Sequence, residues 1–259
     1  MIEGKLGLVP YTNAKPLQFG LREALPEGSA IEAPPSVLAE MLREGSIVAA
    51  LVSSFACFER KGLRIVPEIC VASDGPVQSV KVFFPDSISD ANRIGLHTAS
   101  LSSAALARIV FRERLGIDPE FVPWSPDDPG ADVDGYLLIG DAAMTHPAMP
   151  IMLDLGEEWR TLTGLPFVYA LWGVNAKGSA SELCELLRDA KRRGLENIES
   201  IAKSESERLG LDPEVCLDYL SRVIHYDLGK REEEGLRAFL EKCKKHGLVS
   251  EGAEIEFVS

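Results

Sequence analysis

Tyr11, Thr12 and Asn13 stand where a short apolar strand, Leu6-Gly7-Leu8-Val9, should end, and their side chains are suited to hold a ligand. In open α/β sheets small molecules sit beyond the carboxyl ends of parallel strands, so Asn13 and Tyr11 are candidate contacts. The arrangement recurs along the chain. Ser53 and Ser54 close the continuous apolar run 47–52, Ser100, Ser102 and Ser103 precede an amphipathic helix expected over 104–115, and Gly140-Asp141 follow the apolar run 136–139. Free hydroxyls beside the unpaired N–H groups of a helix start form a site for an anion that needs no cation. Each residue also has a plainer reading. Asn13 is a good helix N-cap before Ala14-Lys15-Pro16, the Ser100–Ser103 hydroxyls could cap their helix, Ser53 and Ser54 could be small packing residues, and Asp141 could cap the turn after Gly140.

Other chemistries find less support. The five cysteines, Cys57, Cys70, Cys184, Cys216 and Cys243, are scattered, without a C-x-x-C pair, and read as reduced, buried thiols. His97, His146, His225 and His246 share no metal-ligand spacing, although His97 follows a strand close to the serine cluster. With 27 Lys and Arg against 40 Asp and Glu, the formal net charge is −13, which leaves no footprint for a nucleic acid backbone. An anionic ligand must therefore be met by local neutral donors. Apolar runs fall far short of the ~18 residues of a membrane span. Met1-Ile2-Glu3-Gly4-Lys5 leads straight into the first strand without the pattern of a secretion signal, so a cytoplasmic protein is expected.

The elements that must position these residues alternate between strand and helix over the first two thirds of the chain and are mostly helical after 181. The spacing predicts a helix over 16–25, a strand at 31–33, a helix over 37–44 opened by Pro34-Pro35-Ser36 and closed by Gly45, and a buried strand over 47–52 of the kind found in parallel sheets. Strands follow at 77–84, 94–96, 136–139 and 167–174, and the last helix covers 231–246. Polar joints at 86–92 and 175–181 suggest a lobe inserted into another: 1–87 plus 176–259 as lobe 1 and 88–175 as lobe 2, with the ligand cleft between them. Trp159 and Trp172 read as packing residues.

The chain resembles the chorismate dehydratases of the futalosine route to menaquinone. The resemblance rests on Tyr11-Thr12-Asn13-Ala14 with Pro16-Leu17, Pro35-Ser36 with Leu38-Ala39, Leu51-Val52-Ser53-Ser54, and Gly75-Pro76-Val77 with Ser79-Val80. It continues through Ser100-Leu101-Ser102-Ser103, Leu137-Leu138-Ile139-Gly140-Asp141-Ala142, Asp154-Leu155-Gly156 with Trp159, Thr163-Gly164-Leu165-Pro166-Phe167 with Trp172, and Tyr226-Asp227-Leu228-Gly229 with Gly235-Leu236. The blocks span nearly the whole chain. Two positions depart from the pattern: Val48 replaces a common acidic residue, and Ser-Leu-Ser-Ser stands for Ser-x-Thr-Ser with the hydroxyl kept at Ser102.

The resemblance implies an α/β, two-lobed periplasmic-binding-protein-like (type II) fold with a central cleft, and removal of water from chorismate to give 3-[(1-carboxyvinyl)oxy]benzoate without a metal or redox cofactor. On this reading Asn13 and Ser79 orient the reacting carbons and the departing hydroxyl, and Ser102, Ser103 and nearby amides bind a carboxylate. Tyr11, Ser54, Ser100 and Asp141 complete the substrate contacts, and the enolpyruvyl carboxylate is itself a candidate proton acceptor. Two other readings share the fold: a solute-binding protein for a small carboxylate, and the sister enzyme 1,4-dihydroxy-6-naphthoate synthase. The latter typically has a His-Glu pair where this chain has Gly140-Asp141. The expected partner is a small dicarboxylate, with no nucleic acid and no membrane, and the oligomeric state is left open.

Overall fold

The structure, a computed structural model, describes residues 4–59, 63–97, 99–126, 132–175 and 180–258. The chain opens with β1 (Leu6–Leu8), a 3-10 turn at Thr12–Ala14, α1 (Lys15–Gln18), α2 (Leu21–Ala24), β2 (Ala30–Glu32), α3 (Pro35–Glu44), β3 (Ala49–Ser53), α4 (Ser54–Glu59) and β4 (Leu63–Ser73). It then builds β5 (Val80–Phe84), β6 (Arg93–His97), α5 (Leu101–Ile109), β7 (Glu120–Trp124), β8 (Gly135–Ile139), α6 (Gly140–Thr145) and β9 (Ile151–Asp154). It returns through α7 (Leu155–Thr163) to β10 (Phe167–Asn175) and ends in α8 (Ala180–Glu196), α9 (Ile198–Leu209), α10 (Pro213–Asp218) and α11 (Lys230–Lys245). Among the described residues, no helix is long and apolar enough to cross a membrane.

Two five-stranded sheets result, ordered β2-β1-β3-β10-β4 and β7-β6-β8-β5-β9. Strands β1, β2 and β3 are parallel, as their patterns predict, but β10 runs antiparallel between β3 and β4. In the second sheet β6, β7 and β8 are parallel while β5 is antiparallel to β8 and β9. The sheets are therefore mixed, because each lobe receives one strand that comes back from the other. All five residues of β3 are buried, as a continuous apolar run covered on both faces should be. Helix α3 covers it with Leu38, Ala39 and Leu42, and stops where Gly45 takes φ +76°, a left-handed C-terminal cap. The helix expected over 16–25 is broken in two by Gly20, which sits at φ +68°. One apolar core runs through both sheets and includes Trp159 and Trp172, each 0% exposed, in agreement with their reading as packing residues. All five cysteines are free and buried.

The chain passes between the sheets at 74–79 and 155–166. This corrects the expected lobe boundaries, since β5 belongs with the second sheet and β10 with the first. The polar joint at 86–92 lies between β5 and β6, inside the second sheet's own half of the chain. Polar composition marks exposed loops, whereas the real crossovers are pinned and close-packed. Asp154 caps α7 by accepting from Gly156 N (3.0 Å) and Glu157 N (3.3 Å), and its carboxylate also accepts from Val77 N (3.0 Å) and Gln78 N (2.8 Å) on the other crossover. Gly156 is required there: a Cβ would lie 2.5 Å from the Gly75 carbonyl oxygen and 2.7 Å from the Tyr169 hydroxyl.

Candidate active site

A cavity of about 60 Å3 lies between the sheets, where strand ends from both halves converge. Val9, Tyr11 and Asn13 reach it from the end of β1, Leu51 and Ser53 from β3, Val71 from β4, and Tyr169 and Ala170 from β10. The second half contributes Val80 of β5, Ile139 and Gly140 at the β8–α6 junction, and Ser100 and Ser103 at the start of α5. This is the place where open α/β sheets bind small molecules. A larger hollow, about 340 Å3, opens on the far side of the tip among α1, α2, β2 and α9. Its walls mix Lys15 and Arg22 with Glu23, Glu32 and Glu205 and hold none of the candidate residues, so the smaller cavity is the candidate site.

The structure brings five sequence-derived candidates to the cavity: Tyr11, Asn13, Ser53, Ser100 and Ser103. Asn13 caps neither the 3-10 turn nor α1, which resolves its plainer reading; its side chain lies against the buried phenol of Tyr219. Ser100 both lines the cavity and caps α5, accepting from Ser103 N at 3.3 Å and donating to Ser103 Oγ at 2.9 Å. Tyr11 packs against Gly140, where φ is +58° and a Cβ would lie 2.7 Å from the Tyr11 ring. Burial, aided by the charge of Asp141, pushes the Tyr11 phenol up.

The other four stand behind the wall. Ser54 and Ser102 are fully buried and bonded to each other at 2.9 Å; Ser54 donates to the Val168 carbonyl (2.7 Å) and Ser102 accepts from Phe55 N (3.0 Å). Their hydroxyls tie α4 to α5, so expecting them to grip a ligand is corrected: tertiary packing has claimed the same donors. Asp141 accepts from Thr12 N (3.0 Å) and pairs with Arg208 (2.5 Å), which also bonds Glu205 and Thr12 Oγ1. It thus caps the Tyr11–Asn13 tip from the opposite half instead of facing a ligand. Ser79 is fully buried, accepts from the Tyr219 hydroxyl at 2.8 Å and receives Gly140 N on its carbonyl at 2.7 Å. His97 Nδ1 accepts from Ala99 N at 3.1 Å and lies outside the cavity.

Tyr169 and Tyr219 were not singled out by sequence reasoning. Tyr169 is the polar residue of an otherwise apolar strand, a signal that could have drawn attention to it; its hydroxyl bonds Ser73 Oγ at 3.1 Å, and burial pushes the phenol well up. Among the described residues, no charged side chain lines the cavity. An anion placed there meets hydroxyls, the Asn13 amide and the amino end of α5.

Two mixed sheets joined by paired crossovers, with a polar-tipped cavity between them, define a protein of the periplasmic-binding-protein fold. Solved structures carry the same fold: a protein of Archaeoglobus fulgidus aligns with TM-score 0.75 at 17% identity, covering 95% of this chain and 98% of that one. The aliphatic sulphonate binding protein of Escherichia coli aligns with TM-score 0.63 at 15% identity over 97% and 94%. A family model described as menaquinone biosynthesis matches residues 4–245, and the chain belongs to that family. It is 32% identical over 260 residues to the chorismate dehydratase of Thermus thermophilus, across 91% of this chain and 93% of that protein. The chorismate dehydratase of Campylobacter jejuni is 25% identical over 94% and 99%.

Proposed function

We infer that the protein is a chorismate dehydratase, a carbon–oxygen lyase acting in menaquinone biosynthesis. The observation that carries this reading is the 32% identity to the Thermus thermophilus enzyme over nearly the full length of both chains. In the reaction a C–H bond breaks at the ring carbon bearing the enolpyruvyl ether and a C–O bond breaks at its neighbour. A new C=C completes the aromatic ring, and the proton and hydroxide leave as water. Aromatisation supplies much of the driving force, so the protein's share is to fix the geometry and to stabilise charge spread into the ring carboxylate.

The cavity suits that share. Ser100, Ser103 and the amino end of α5 receive a carboxylate, Tyr11 and Tyr169 flank the ring, and Asn13 faces the reacting carbons. Ser79 acts from just behind Asn13, through the hydrogen-bonded Tyr219 that joins them. The lining side chains described include no carboxylate, imidazole or amine, so the substrate's own enolpyruvyl carboxylate takes the proton in this scheme. At about 60 Å3 the cavity is far below the roughly 300–1,000 Å3 of a small-molecule site, so the lobes part to admit chorismate and close over it. We read the protein as a cytoplasmic enzyme. Mixing purified protein with chorismate and following the aromatic enol ether by absorbance and chromatography tests the function. Formation of 3-[(1-carboxyvinyl)oxy]benzoate is expected; a thermal shift by chorismate without product would point to a binding protein instead.

A further inference from the structure

Tyr219 opens a π-helical turn, Tyr219–Val223, that follows α10 in the carboxyl-terminal helices, far in sequence from every residue that lines the cavity. Single π-turns recur at functional sites because they re-aim a side chain that a regular helix would point elsewhere. Here the side chain is aimed inward. Tyr219 is 0% exposed, and its hydroxyl donates to Ser79 Oγ at 2.8 Å across 140 residues of chain. The Asn13 side chain is its second partner. Burial, the largest influence, pushes the phenol up, so Tyr219 remains a neutral hydroxyl and is not a base at neutral pH.

Tyr219 thus touches both groups: its O–H donates to Ser79 Oγ, and its hydroxyl lies against the Asn13 side chain. The arrangement has two consequences. The Asn13 side chain is backed by the buried phenol where it meets the cavity wall. Ser79, having accepted from a phenol, has its own O–H free to donate, and a hydroxyl that already accepts a bond donates more strongly. Tyr219 also stands between the halves of the molecule, because Asn13 belongs to the tip after β1, and Ser79, whose carbonyl receives Gly140 N, belongs to the crossover into β5.

We propose that Tyr219 is a positioning residue for the dehydration, holding Asn13 at the cavity wall and the Ser79 hydroxyl behind it in one arrangement when the halves are closed. The proposal rests on the reading of the site as that of a chorismate dehydratase. The test is Tyr219→Phe, which removes one oxygen and keeps the ring that packs the core. The hydrogen bond to Ser79 and the contact with Asn13 are both lost, so kcat is expected to fall about 10- to 100-fold while KM for chorismate stays within about threefold. In a Ser79→Ala background the same change should cost less than about threefold, since the acceptor of its hydrogen bond is already gone.

A Tyr219→Phe enzyme within twofold of wild-type kcat overturns the proposal and leaves the dehydratase reading standing. Full additivity with Ser79→Ala, or a loss confined to KM, also overturns it, because a purely structural tyrosine would behave that way. A wild-type protein inert toward chorismate sinks both readings at once. Should Tyr219→Phe fail to fold, 3-fluorotyrosine at position 219 keeps the shape and strengthens the donor. A kcat change of at least twofold at constant Tm is then expected, and an unchanged kcat refutes the proposal.

Discussion

Asp154 makes the sharpest stability prediction, because one carboxylate holds both passages between the sheets. Its two oxygens accept from Val77 N, Gln78 N, Gly156 N and Glu157 N at 2.8 to 3.3 Å, and Gln78 is held at φ +64°, a conformation that non-glycine residues rarely adopt. In Asp154→Ala, loss of the α7 cap costs about 1 kcal/mol. The Val77 and Gln78 amides lose an ionised acceptor, worth about 1.5 kcal/mol each where water is excluded. Asp154 is half-buried, so water replaces part of this and the net loss is about 2–3 kcal/mol. At roughly 2–4 °C per kcal/mol for a protein of this size, Tm should drop by roughly 5–10 °C, with a matching shift of the urea midpoint. Asp154→Asn, which keeps one acceptor oxygen, should fall about halfway. Melting within about 2 °C of wild type would refute the idea that this carboxylate pins the crossovers.

Asn13→Ala should abolish turnover with Tm nearly unchanged, since Asn13 caps no helix; an unchanged rate would remove Asn13 from the chemistry. Ser102→Ala should cost roughly 1–2 kcal/mol of stability by leaving Phe55 N without its acceptor and Ser54 with the Val168 carbonyl alone, yet leave KM within about twofold. A tenfold rise in KM would restore Ser102 as a ligand for substrate. Glu113 governs a pH dependence: burial alone would raise its carboxyl, but hydrogen bonds from Lys242, Lys245 and His246 bring it down to about 2. A depressed carboxyl contributes stability above its ordinary value of 4.5 that is lost as pH falls toward 2. Urea midpoints measured from pH 6 to pH 2.5 should therefore fall more steeply for wild type than for Glu113→Gln, and parallel curves would contradict the assignment.

How much of this was legible in the residues depends on whether the signal was local. The tip Tyr11-Thr12-Asn13, the cap at Ser100 and the buried strand β3 were readable because each depends on neighbours in sequence. Strand β4 was not. Its run is broken by Pro67-Glu68, Glu68 sits at φ +68°, and the pairing with β10 carries register shifts, so neither alternation nor a clean apolar stretch survives. Strand β7 carries Pro123, which an edge strand tolerates because that position needs no ladder donor, and β9 is an edge strand exposing Met152.

From the order of residues alone came an α/β protein with strand tips rich in hydroxyls, an acidic exterior and a close resemblance to one family of dehydratases. Tertiary structure alone decided which hydroxyls face the cavity. Ser100 and Ser103 do, while Ser54 and Ser102, from equally hydroxyl-rich positions, are consumed by a bond between helices 47 residues apart or more in sequence. It also placed β5 and β10 in opposite sheets and set Tyr219 against Asn13 and Ser79. The reason is physical. A donor can be spent only once, and whether it is spent on the fold or kept for a ligand depends on groups that folding brings near from remote parts of the chain.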